Sequence, residues 1–288
     1  MNHLKSIIAV FTIALTFNFS QAQEKVKLEN SVLWKVEHSE LKEPSYILGT
    51  LHMMCEDDFV IHEKITQTFN KVNAIVLEVN LSDPQEIKSI QESMKSTKKI
   101  SEEISKEQFE ELDKLVTNVL GASLTNFDAY GLSILNAVMI QKMLPCTQMK
   151  SLDNELMQLA LTNQKPIYSL EKASEQMEII KNAYPTAFAL KQILLFESYK
   201  KDFNEAIKAY KNEDISAAVD FITKEAYMNE NATNLMQIKR NKNWVEKMPS
   251  MMKERSNLFA VGTAHLTNEY GIIHLLQKKG YTVTPVFN

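Results

Sequence analysis

Apolar and polar side chains alternate along Val32-Leu33-Trp34-Lys35-Val36-Glu37, which predicts a strand with one buried face. Residues 46–49 predict a second strand, and the short polar link at 38–43 makes the two an antiparallel hairpin. Residues 60–72 follow helical spacing. Ala74-Ile75-Val76-Leu77-Glu78-Val79 is a buried-strand run that ends on a carboxylate. Strand, helix, strand in this order predicts a βαβ unit with a parallel pairing.

The middle of the chain is helical in pattern. Ser82-Asp83-Pro84 opens a helix with Pro84 at its first position. Residues 101–120 predict another, with Ser101 as N-cap and Gly121 as terminator. Residues 126–144 are apolar on most sides, which favours a core helix over a contact surface. A further helix opens at Ser151, and 166–170 predict a third parallel strand, followed by Glu171. A long helical stretch covers about 172–252, with breaks expected near Pro185, at 212–214 and at Pro249. The last unit is a strand at 258–262, a helix at about 267–279 closed by Gly280, and a final strand at 281–286. The fold class is α/β: a mainly parallel mixed sheet built from both chain ends, with a helical insertion at about 84–145.

Residues 1–22 stand apart. One basic residue, Lys5, precedes an apolar run at 7–19, and Ser20-Gln21-Ala22 supplies small residues for cleavage. The expectation is a signal peptide and an exported chain, periplasmic or extracellular, with one domain over 23–288. An uncleaved N-terminal anchor is the competing reading. Gln23 rather than Cys follows the expected cut, so a lipid anchor is not indicated, and no stable membrane span remains after cleavage. Loss of Lys5 takes the formal charge from −4 to −5. A mildly acidic chain without a basic stripe is a poor nucleic-acid partner. Low glycine and proline with 14 methionines fit a helix-rich protein with an adaptable interior. Two cysteines, Cys55 and Cys146, favour a disulfide in an oxidising compartment; free buried thiols, or Cys55 as a metal ligand, are the alternatives.

The candidate chemistry lies in a repeat. Gly49-Thr50-Leu51-His52 recurs as Gly262-Thr263-Ala264-His265, each copy behind a strand-like run, in a chain with only six glycines and six histidines. Glycine permits backbone angles or close approach that a Cβ forbids. Histidines just beyond the carboxyl ends of adjacent strands stand where open α/β sheets bind ligands. Glu78 and Glu171 also fall at strand ends, so one sheet edge can gather all four groups. Two imidazoles and a carboxylate suit a divalent metal with an open position for water, zinc or a non-haem iron alike. His52 and His265 are the expected ligands, with Glu78 as third ligand or as general base. Arg240 by position is an ordinary helix-surface residue beside Lys239 and Lys242. Asp153 and Glu155 sit in a first helical turn, where acids favour the dipole. No G-x-S-x-G elbow, H-E-x-x-H helix or phosphate-binding glycine loop is present.

With those residues in place, the chain resembles the TraB/GumN family, which includes the Tiki proteases. The match runs from Leu33-Trp34-Lys35-Val36, the first Gly-x-x-His and Glu78, through Ser151-Leu152-Asp153, Leu170-Glu171 and Ser174-Glu175-Gln176, to Arg240-Asn241. The stretch from Phe259 to Leu266, continued by Gly280-Tyr281-Thr282-Val283, is its most specific piece. The resemblance implies a fold related to erythromycin-esterase-like and haem-binding ChaN-like proteins. It implies a metal-dependent hydrolase, a peptidase in Tiki-like members, with manganese or cobalt favoured and zinc open. It gives His52, His265 and Glu78 the metal, Glu78 or Glu171 the proton, and Arg240 and Asn241 a stabilising role toward a peptide or small-molecule substrate. Some relatives bind haem, metal or peptide without demonstrated catalysis, and this is the alternative function.

Overall fold

The computed structural model describes residues 28–94 and 98–288. The expected signal segment lies outside them. Among the described residues there are eight strands: β1 Leu33–Glu37, β2 Ser45–Thr50, β3 Met54–Cys55, β4 Ala74–Leu77, β5 Met149–Lys150, β6 Ile167–Ser169, β7 Asn257–Gly262 and β8 Thr282–Pro285. Six form one sheet in the order β6-β4-β7-β2-β1-β8. β6, β4, β7 and β2 run parallel, and β1 pairs antiparallel with both β2 and β8. Both chain ends therefore contribute strands to one α/β layer.

The central strands β4 and β7 are buried along their whole length, as parallel strands covered on both faces must be. The predicted hairpin of β1 and β2 forms in the register Leu33–Leu48 to Val36–Ser45. The first βαβ unit is modified, because β7 inserts between β2 and β4 and pairs with both. This places the ends of the two Gly-x-x-His strands side by side, with Thr50 opposite Gly262.

The helical part departs from the sequence pattern in three places. The helix expected over 101–120 is split into Ile100–Glu103 and Lys106–Leu120. Ser105, not Ser101, caps the longer piece: its hydroxyl accepts from the Gln108 amide, and the Gln108 side chain returns a 2.8 Å bond to Ser105 N–H. Ser101 instead donates to Asp128. The apolar stretch at 126–144 narrows to the helix Gly131–Gln141 after two short 3-10 turns, with Leu132, Leu135 and Met139 buried. Pro249 does not stop its helix; it lies inside Arg240–Glu254. Burial of Trp244, Val245 and Met248 before it and Met252 after it fixes both sides to the core and offsets the lost backbone bond.

Two apolar clusters result. The larger surrounds the sheet, with Ile47, Ile75, Phe259 and Trp244 among its members. The smaller joins Ile100, Leu112, Val116 and Leu135 to Leu190, Ile193 and Phe196. The helical layer is thus completed by helices Thr186–Leu194 and Phe196–Lys211, well beyond 84–145. The small β3–β5 sheet, invisible in the periodicity, lies beside the Cys55–Cys146 disulfide, which joins residues 91 apart with Cα atoms 5.7 Å from each other. Among the described residues, no helix is long and apolar enough to cross a membrane.

Candidate functional site

The two motif glycines serve close approach rather than unusual backbone angles, since neither has a positive φ. A Cβ on Gly49 would stand 2.8 Å from Thr263 Oγ1 and 3.1 Å from Leu266 Cδ2. A Cβ on Gly262 would stand 3.2 Å from both Glu78 Oε1 and His52 Nε2. The second glycine therefore leaves open a small cradle between an imidazole and a carboxylate at the carboxyl ends of β2, β4 and β7.

Arg240 is the centre of the site. It is not a helix-surface residue: it is 3% exposed, and its guanidinium points into the sheet edge. Nε donates to Glu171 Oε1 and Oε2, 3.1 and 3.2 Å away. Nη2 donates to Glu78 Oε2 at 2.6 Å and Glu171 Oε1 at 2.7 Å, and Nη1 to Met236 O at 3.2 Å and His265 Nε2 at 3.0 Å. Gln176 Nε2 bridges the two carboxylates, and Trp244 Nε1 donates to Glu171 Oε2. The Trp244 ring also lies beneath the guanidinium, 4.7 Å from its centroid, and 4.4 Å from the His265 ring.

These bonds fix the protonation pattern. An arginine can only donate, so His265 Nε2 accepts and the ring carries its proton on Nδ1, which donates to Asn241 Oδ1 at 2.6 Å. Asn241 Nδ2 donates to the carbonyls of Tyr270 and His265, so the amide holds ring and backbone together. Burial pushes the His265 pKa down to about 3, and the Arg240 charge reinforces burial against the pull of Glu78. Burial alone would raise the Glu78 carboxyl. Arg240, the two histidines and the Gly262 amide, which donates to Glu78 Oε1 at 2.7 Å, outweigh it and hold the carboxyl far below its usual range.

The first histidine has a different setting. His52 Nδ1 lies 3.1 Å from Asp153 Oδ2, and Thr50 Oγ1 donates to Asp153 Oδ1 at 2.8 Å. Asp153 is thus more than a dipole acid. Desolvation would lower the His52 pKa, but the Asp153 bond and charge, with Glu78 beyond, carry it up to about 9. The side chain is still 67% open to water, so solvent screens that pair and its weight in fold stability is small. The duplicated motif has therefore produced one buried neutral imidazole and one exposed charged one.

All four strand-end groups meet at one rim, but a three-ligand metal centre is not assembled. Among the described residues, no three His, Cys, Asp or Glu side chains are grouped to hold an ion. His265 has its Nε2 lone pair engaged by Arg240, and Glu78 Oε2 accepts from both Arg240 and Gln176. His265 Nε2 and Glu78 Oε1 are 3.8 Å apart, with the guanidinium supplying positive charge beside them. In this arrangement the residues do not fit a bound divalent ion. Arg240 and Asn241 also have their side-chain donors engaged within the chain. The sequence pattern missed Gln176 and Trp244 as site residues; the i, i+4 spacing of Arg240 and Trp244 was the available signal.

No curated protein and no solved structure matches the chain significantly. The profile of the TraB/PrgY/gumN family matches residues 32–285, which span nearly all of the described strands and helices and every group of this site, and the chain belongs to that family.

Proposed function

We propose that the chain is an exported hydrolase that acts on carbonyl-centred bonds, peptides first, in the cradle between His52 and Glu78. One observation carries this reading: His52 Nε2 and Glu78 Oε1 face the same space over Gly262, each 3.2 Å from the position a Cβ would take. Glu171 is filled by Arg240, Gln176 and Trp244, whereas among the described residues Glu78 Oε1 accepts a hydrogen bond only from the Gly262 amide. This favours Glu78 over Glu171 as the group that takes a proton from water. His52, charged at neutral pH, is suited to give a proton to the departing amine. Water then adds hydroxide to the carbonyl carbon, the C–N bond breaks, and the proton held by Glu78 returns to His52. Arg240 lowers the basicity of Glu78, which makes removal of the water proton the harder of the two transfers. The Cys55–Cys146 bond supports an oxidising location outside the cytoplasm.

A metal-dependent form of the reaction, with manganese, cobalt or zinc, is what the family resemblance implies. It requires Arg240 to release His265 Nε2. The alternative is a binding protein without turnover, favoured by the extent to which Arg240 is already satisfied inside the chain. The test is a library of blocked peptides incubated with the purified chain, with chelator and with each ion in turn. The expected result is cleavage that falls about a hundredfold in His52→Ala and Glu78→Gln variants that keep the wild-type fold. Binding without cleavage in every metal state would transfer the site to the alternative.

A further inference from the structure

A second opening lies on the β1 side of the same rim. It is a cavity of about 300 Å³, within the size range of small-molecule sites. Tyr210 ties it to the first motif by donating to Gly49 O at 2.7 Å, and Gly49 N–H donates to Val32 O. Val32 N–H in turn donates to Glu213 Oε2 at 3.2 Å. The cavity floor is a buried ion pair, with Lys64 6% and Glu213 8% exposed. The Lys64 ammonium donates to Glu213 Oε2, to Val286 O at 2.9 Å and to Ser31 Oγ at 3.3 Å, so its three donors are used. The pair is therefore a fixed and neutral floor. It is costly to build, because both charges leave water. Glu213 also holds a φ of 57° just past helix Phe196–Lys211, where glycine or asparagine is usual.

The walls, unlike the floor, carry unused groups. His62 is the N-cap of helix Glu63–Lys71, yet its side chain caps nothing, and its ring has no hydrogen-bond partner among the described residues. Lys211 meets Asp58 in an exposed pair that solvent screens. Asn212 Nδ2 donates to Lys208 O at 3.1 Å, which leaves Oδ1 as an acceptor. Phe287 is 58% exposed and presents an aromatic face at the open side of the cavity.

We infer that this cavity binds the carboxyl-terminal residue of a peptide. The Lys211 ammonium and the His62 ring donate to the carboxylate, and an imidazole can donate in either protonation state. Asn212 Oδ1 accepts from the N–H beside that carboxylate, and the Phe287 ring packs on the residue's side chain. An inorganic anion would leave Asn212 and Phe287 unused. The inference rests on the peptide reading for the choice among carboxylates, yet it concerns binding outside the cradle and is measured without turnover.

The experiment titrates the full chain with N-acetylphenylalanine, with its carboxamide and with phenylpropionate, while proton–carbon spectra follow the rings of His62 and His52. N-acetylphenylalanine is expected to shift His62 saturably and to bind about tenfold more tightly than the carboxamide, which lacks the charge. Phenylpropionate lacks the N–H and should bind about fivefold less tightly than N-acetylphenylalanine. Lys211→Ala should weaken N-acetylphenylalanine about tenfold at an unchanged thermal midpoint, since its ion pair is exposed. Equal binding of acid and carboxamide, a silent His62 ring or an unchanged affinity in Lys211→Ala would overturn the inference. Shifts confined to His52 would place the carboxylate at the cradle and overturn it as well. Parity of phenylpropionate with N-acetylphenylalanine would overturn the peptide assignment and leave a general carboxylate pocket. The expected binding in a chain that cleaves no peptide would uphold this inference while the hydrolase reading fails.

Discussion

Asn241 Oδ1 stands 2.6 Å from His265 Nδ1 and, by accepting there, turns the opposite nitrogen toward Arg240. The ring is neutral because a proton on Nε2 would face the guanidinium directly. His265 is therefore expected to keep a neutral, Nδ1-protonated ring from about pH 8 down to about pH 5, as read by nitrogen-15 chemical shifts. Asn241→Asp places a carboxylate at Nδ1 and should raise the His265 pKa from its depressed value of about 3. Titration of wild-type His265 near the ordinary histidine value of 6.5 would contradict the proposed hydrogen-bond order.

Stability against pH follows with a definite sign. The unfolded chain protonates His265 near 6.5, while the folded chain resists until about 3, so folding loses free energy as pH falls through that window. Glu78 acts in the same direction at lower pH, because its folded carboxyl stays ionised below the ordinary 4.5. His52 acts in the opposite direction. Its folded pKa of about 9 gives a contribution present below 6.5 and lost as pH rises to 9, weakened by its exposure to water. Urea midpoints should therefore fall more steeply below neutrality than above it, and His52→Ala should lower the midpoint below about pH 6.5 and converge with the wild type as pH rises to about 9.

Arg240→Met removes the cation that Glu78 and Glu171 share and leaves both carboxylates buried without it. The expected cost is about 3–5 kcal/mol in chemical denaturation. Arg240→Lys restores charge without the planar fork that meets both carboxylates, and should recover only part of that loss. A near-neutral Arg240→Met would mean that water reaches the cluster and solvates both carboxylates.

Much of this architecture was legible in the pattern of apolar residues. The strands of the main sheet stand out because parallel strands need continuous apolar runs, as in Ala74-Ile75-Val76-Leu77, and because the hairpin alternates. The insertion of β7 between β2 and β4 was not visible, since strand order depends on contacts across the whole chain. Pro249 misled because its local cost is overcome by burial of Trp244, Met248 and Met252, a tertiary effect. At the site, the repeated Gly-x-x-His marked the correct rim. The burial of Arg240 was hidden by its flanking lysines, Lys239 and Lys242, which say nothing about the face between them. The pairing of His52 with Asp153, residues 101 apart, also required the fold.

The Cys55–Cys146 bond lies next to that pairing. Cys55 follows His52 by three residues on β3, and β5, paired with β3, leads directly into Ser151 and Asp153. Replacing both cysteines with serine should cost about 2–5 kcal/mol, as expected for a bridge closing a long loop. It should also loosen the hold of Asp153 on His52, so the His52 pKa should fall from about 9 toward 6.5. Carbon-13 shifts of the His52 ring in the two proteins read this directly. A stability loss with His52 unchanged would restrict the bridge to folding and show that Thr50 and Ser151 suffice to position Asp153.

Gly262→Ala tests the cradle itself. The added methyl meets Glu78 Oε1, which Arg240 and the Gly262 amide hold in place, and His52 Nε2, which can swing outward into water. His52 should therefore move, at a stability cost of about 1 kcal/mol, the low end for added volume at a packed position. Gly49→Ala presses instead on Thr263 and Leu266, both buried in the interior, and should cost about 2–3 kcal/mol. If the space over Gly262 is where water is activated, Gly262→Ala should lose nearly all turnover while Gly49→Ala keeps more activity per folded molecule. The reverse order, measured as turnover normalised to folded protein, would place the chemistry elsewhere along the rim.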